Sequence, residues 1–134
     1  MTEGTAGHQT FHQKLDALKS ALVALSQRAE AVLDLSLAAL HARDTIRAQE
    51  VLLADREVDR LEVQMEHDAI ALLALQQPMA RDLRFIISVI KITHDLERVG
   101  DHAVNIAGST MRMAALESHL PVPPELEEKI GRAH

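Results

Sequence analysis

Cysteine is absent from this chain, which excludes disulfide staples, thiol nucleophiles and thiolate-bound zinc or iron–sulfur centres. Tryptophan and tyrosine are absent too, and the only aromatics are Phe11 and Phe85. An interior built without large rings must come from Leu, Ile, Val and Ala, which suits closely packed helices. Neither glycine nor proline occurs from His8 to Gln77, so neither of the two strongest helix breakers interrupts that stretch. Long apolar runs are missing as well. The richest, LRFIISVIKI, is broken by Arg84 and Lys91, and Met1 to Thr10 has no signal-peptide core. There is no excess of basic charge either. The net charge of −6 argues against a general nucleic-acid binder and is compatible with a cation site or a basic protein surface. These absences predict a cytoplasmic chain that meets a membrane only through a membrane-bound partner.

At 134 residues the chain fits one domain with a real core. Residues 1–10 read as a polar, disordered lead. Phe11, Leu15, Leu18, Leu22, Leu25, Ala29, Val32, Ser36 and Ala39 then recur at three- and four-residue steps, predicting a first helix that ends near His41 to Asp44. Asp44 can cap a second helix running to about Leu75, and so short a connection forces an antiparallel hairpin. Pro78 fits the first position of a third helix, with Asp82 near its positive end. That helix should stop before Pro121. The result is an all-α antiparallel bundle of three long helices over residues 11–120. A proline-rich turn and the truncated start of a further helix follow over 121–134.

The third helix carries two adjacent apolar stripes, as expected where one helix packs on two others. Leu83, Ile86, Ile90, Val104, Ala107, Met111 and Ala114 form one; Phe85, Val89, Ile92, Leu96, Val99, Ala103, Ile106 and Met113 form the other. Thr93, Glu97 and Gly100 interrupt the first stripe, and Asp101 and Asn105 extend the line from Thr93 through Glu97. On the second helix the row Leu52, Asp55, Asp59, Glu62, Glu66, Ile70, Leu73 is apolar at both ends and acidic in the middle.

Carboxylates four apart on an exposed helix repel by about 0.2–0.5 kcal/mol per pair, and a hard multivalent cation would relieve that repulsion. The candidate ligands are Glu97, Asp101, Asp59, Asp55 and Glu62. Oxygen donors suit magnesium, manganese, calcium or iron, and histidines would widen the range toward zinc or nickel. Gly100, between Glu97 and Asp101, costs about 0.8–1 kcal/mol against alanine in a helix, so its placement implies that something approaches the backbone there. Ordinary readings compete. Arg56, Arg60 and Arg98 could answer the carboxylates, and a solvated or salt-bridged row fits Asp55, Glu62 and Glu66 better than ligation. Glu30 and Asp34 read as surface, His94 and His102 as polar flank, and Met65, Met79, Met111 and Met113 as packing. No glycine-rich phosphate loop, His-Glu-x-x-His element, Glu-x-x-His motif or triad is present, so the residues predict no enzyme.

Three segments in order carry a resemblance: Gln77-Pro78 with Ala80-Arg81-Asp82-Leu83-Arg84, then Leu96-Glu97-Arg98-Val99-Gly100-Asp101, then Asn105-Ile106-Ala107. With the upstream stretch ADREVDRLEVQMEHDAIALLA, the chain resembles the PhoU family of bacterial phosphate-signalling regulators over roughly residues 11–120. The resemblance implies an all-helical fold of three-helix units, of which this chain holds one and the start of another near Pro124 to His134. It implies divalent or ferric ions (iron, zinc, magnesium or manganese) on Glu/Asp-x-x-x-Asp motifs, here Glu97 to Asp101 and Asp55 to Asp59. It also implies negative regulation of phosphate uptake and phosphate-starvation signalling, with a phosphate ABC transporter ATPase and a sensor histidine kinase as partners. Either the chain is a fragment of a two-unit protein, or two copies associate as a homodimer or larger oligomer in place of the tandem arrangement. The alternatives are a metal-storage or metal-dependent bundle enzyme and a purely structural self-associating module.

Overall fold

The computed structural model describes residues 10–118 and 124–125, with the side chains of residues 75 and 76 excepted. Three helices, α1 (Phe11–Ala42), α2 (Thr45–Gln76) and α3 (Ala80–Ser118), form the expected antiparallel all-α bundle, and each packs on both others. The expected polar lead, apart from Thr10, and most of the proline-rich C-terminal stretch lie outside the described residues.

Local chemistry sets the ends of each helix. Thr10 opens α1 with a reciprocal cap: its hydroxyl accepts from the Gln13 amide at 3.1 Å, and the Gln13 side chain accepts from the Thr10 amide at 2.9 Å. At the other end Arg43 turns the chain in the left-handed region, at φ 53°, and the Asp44 amide donates back to the Ala39 carbonyl at 2.9 Å. Asp44 then starts α2, one carboxylate oxygen accepting from the amides of Ile46 and Arg47 at 3.0 and 3.1 Å.

The second connection differs from expectation. Gln77 takes the left-handed turn at φ 42°, and Pro78 and Met79 complete the reversal before α3 begins at Ala80. Pro78 therefore sits in the connector rather than at the first helical position. The Met79 carbonyl receives the first helical bond, from Leu83 at 2.8 Å. Met79 was expected to pack, but it is 79% exposed because the turn carries it outward.

The core is aliphatic throughout, with Leu25, Val51, Val58, Ile86, Val89 and Val104 almost wholly buried. Removing each such side chain from water is worth about 1.5–3 kcal/mol. Thr93 and Gly100 do not break the core row of α3, because both are buried in it. The Thr93 hydroxyl is satisfied by the Val89 carbonyl at 2.7 Å, so a polar side chain occupies a core position at little cost. Of the three interrupting residues only Glu97 is exposed. Leu83 and Ile92, expected in the stripes, are 38% and 40% exposed on the helix shoulders. Among the described residues no helix is long and apolar enough to cross a membrane.

Candidate functional site

The middle of the α2–α3 interface carries the acidic residues. Two contacts fix its register: His94 approaches Glu66 with nitrogen and oxygen 3.5 Å apart, and Gly100 lies against Asp55. Between them the two helices run antiparallel, which brings Asp59 and Glu62 alongside the turn from Glu97 to Asp101.

Asp55 and Glu62 are 1% and 4% exposed. The structure therefore overturns the reading of both as solvated residues. The acidic row turns inward at those two positions because α2 presents this flank to α3 and not to water. Asp59, Glu66 and Asp101 are half-buried at the mouth of the seam, and Glu97 is exposed beside it. Of the arginines expected to answer these charges, Arg60 pairs with Glu57 at 2.6 Å on the outer face. Glu66 does find a counter-ion when His94 is protonated, which gives His94 a role beyond polar flank. Glu30 and Asp34 are exposed on α1, as expected.

Burial pushes the Glu62 carboxyl up to about 8, and the neighbouring charges of Asp59 and Glu97, a hydrogen bond shared with Asp59 and the charge of Asp55 push the same way. Glu62 therefore holds its proton at neutral pH. Its Oε2 is buried with no hydrogen-bond partner among the described residues, and the same holds for Oδ1 of Asn105, one turn beyond Asp101. A buried acceptor left without a donor costs about 1–3 kcal/mol.

Oxygen-only donors and an orphaned buried carboxyl oxygen match a hard cation in kind. No three acidic or imidazole groups among the described residues stand in a coordinating arrangement. The sequence pattern put Asp55, Asp59 and Glu62 on one row of α2, and the structure sets Asp55 and Glu62 of that row inside the bundle, with Asp55 against Gly100 of α3. The pattern missed the burial of Asp55 and Glu62 and the orphaned amide oxygen of Asn105. Gly100 was the available signal, since a glycine at its cost inside a helix marks the close approach that Asp55 makes. A separate open hollow of 760 Å³ lies far along the bundle, where Phe11, His12, Pro78, Met79, Arg81 and Arg84 meet at the α2–α3 turn. It shares no residue with the seam.

Comparison with known proteins agrees with this arrangement of helices and motifs. The PhoU domain profile matches residues 22–110, which takes in most of α1, all of α2 and α3 as far as Thr110. A protein of Xylella fastidiosa (strain 9a5c), named a phosphate-specific transport system accessory protein PhoU homolog, is 35% identical over 115 residues, covering 86% of this chain and 47% of the relative. Proteins of the same name are 36% identical in Aquifex aeolicus (strain VF5), over 76% of this chain and 46% of the relative, and 36% identical in Clostridium acetobutylicum, over 81% and 50%. The chain thus spans about half the length of the curated relatives it matches. With a three-helix bundle, a profile match over most of its length and relatives at this level of identity, the chain belongs to the PhoU domain family.

Proposed function

We propose that this chain is a non-enzymatic regulatory unit of phosphate uptake and phosphate-starvation signalling, working by docking. The names of its relatives as phosphate-specific transport system accessory proteins support the system in which it acts. The observation that carries the site is the buried acidic seam, with an orphaned Glu62 oxygen at its centre. Its partners in this reading are the ATPase of a phosphate ABC transporter and a phosphate-sensing histidine kinase, met at the cytoplasmic face of the membrane. The chain itself associates as a homodimer or oligomer, a reading supported by exposed Val63 and Ile70 on α2.

Asp55, Asp59 and Glu62 from α2, with Glu97 and Asp101 from α3, would have to draw together from the positions they take here to hold a hard cation in this reading; iron, zinc, magnesium and manganese are the candidates. A bound ion supplies positive charge that offsets the clustered carboxylates and ties the two helices together. Asp55 contributes the buried end of the site, while exposed Glu97 and half-buried Asp59 and Asp101 border the surface that a partner would meet. Glu62 must give up its proton to ligate, so affinity should rise with pH toward 8.

The test is repression of a phosphate-starvation reporter in a bacterial strain that lacks its own PhoU protein. Expression of this chain should lower the reporter in phosphate-rich medium, and Glu97→Ala/Asp101→Ala should abolish the effect while remaining soluble and helical. Full repression by that folded variant would eliminate the cation-dependent docking face. No repression by the unsubstituted chain, soluble and folded, would eliminate the regulatory reading for this single unit.

A further inference from the structure

Gly100 lies where α3 passes closest to the carboxylate of Asp55. A β-carbon built on Gly100 would stand 2.5 Å from Oδ1 of Asp55, well inside van der Waals contact, and 3.8 Å from the carbon that bears it. Asp55 is 1% exposed and Gly100 is buried in the core row, so the two meet inside the bundle rather than at its surface. The positive-φ freedom of glycine is not what this position uses, since no glycine among the described residues has positive φ. What it uses is the missing side chain.

The geometry points to Gly100 as a positioning residue: it is the gap that seats the Asp55 carboxylate against the α3 backbone between Glu97 and Asp101, and so sets how far the two halves of the acidic seam stand apart. This inference rests on the cation reading proposed above and adds the residue that fixes the geometry of that site. A methyl group at position 100 would meet only the outer oxygen of Asp55. The smallest response is for the carboxylate to turn away, which leaves every ligand in the sequence and displaces one of them. The second sign of a ligand site here is independent of Gly100, namely the 4%-exposed Glu62 with its partnerless Oε2 in the same seam.

The test combines a stability cycle in metal-free buffer with manganese titration by calorimetry, on the unsubstituted chain, Gly100→Ala, Asp55→Ala and the double variant. Without Asp55 in the way, alanine is the better helix residue, so Gly100→Ala should raise the melting temperature in the Asp55→Ala background. With Asp55 present the same change should give a smaller gain or a loss. Manganese affinity should fall by about tenfold or more in Gly100→Ala, the range seen when groups that orient ligands are disturbed, with helicity kept. Should the single variant fail to fold while the double variant folds, the clash is demonstrated by that contrast alone. Equal shifts of melting temperature in the two backgrounds would overturn the seating. Manganese binding that is present but unchanged by Gly100→Ala would overturn the positioning role and leave the cation reading intact. An unsubstituted chain that binds no manganese would remove both.

Discussion

Glu62 is a carboxyl that the fold keeps protonated. Its titration is pushed from 4.5 to about 8 by burial first and by its acidic neighbours second. Between those values the folded chain holds a proton that the unfolded chain has released. Stability therefore falls as pH rises through that window, by up to about 1.4 kcal/mol for each pH unit. In metal-free buffer the melting temperature should be higher at pH 5.5 than at pH 8, and Glu62→Gln, which keeps the shape and loses the proton, should flatten the slope. An unchanged slope in that variant would mean that another group carries the dependence. The row pattern of α2 could place Glu62 beside Asp59 but could not say which flank of the row α3 covers. That depends on how two helices rotate against each other, a property of packing that no single helix encodes. Gly100 was visible in the sequence as an anomaly, whereas its partner Asp55 emerged only when the two helices were brought together.

At the scale of the elements, the ends of the helices were more legible than their faces. The first two helices end within about a residue of expectation, because a stretch free of Gly and Pro leaves only Arg43 and Asp44 to turn the chain. Pro78 misled because its fixed backbone suits a connector as well as a first turn. Two substitutions at the α1–α2 joint should act oppositely. Asp44→Ala removes an acceptor shared by two amides and should cost about 1 kcal/mol, read as a lower urea midpoint with unchanged m-value. Arg43→Gly relieves a left-handed residue, worth about 1–2 kcal/mol, and gives up an exposed ion pair with Glu117, worth about 0.2–1 kcal/mol. Glycine also enlarges the entropy lost on folding, so the net effect should be a gain of a few tenths of a kcal/mol at most. A clear loss of stability in Arg43→Gly would show that the Glu117 pair dominates.

For the whole molecule, stability comes from one aliphatic core shared by three helices, so local damage should be felt globally. Ile86, fully buried in the core that the three helices share, is the direct probe. Ile86→Ala should cost about 2–5 kcal/mol and lower a single cooperative transition rather than melt one helix alone, as followed by circular dichroism in urea. Under the proposed cation reading, a site bridging α2 and α3 should raise that same transition by about 2.7 kcal/mol when the ion stands at a hundred times its dissociation constant. Manganese that leaves the melting curve unmoved at saturating concentration would argue against an ion shared between the helices.

An odd number of antiparallel helices gives the bundle a direction. Thr10 begins α1 at the pole where the α2–α3 turn lies, and Ser118 ends α3 near Arg43 at the other pole, with the Arg43–Glu117 pair beside it. A helix of 39 residues is about 58 Å long, so the two ends of the described bundle stand nearly that far apart. Tension applied at those ends would pull along the helix axes and load the interfaces in longitudinal shear, with many contacts resisting together instead of unzipping in turn. Donor and acceptor dyes placed near Thr10 and Ser118 would then report bundle opening as a change along a single axis.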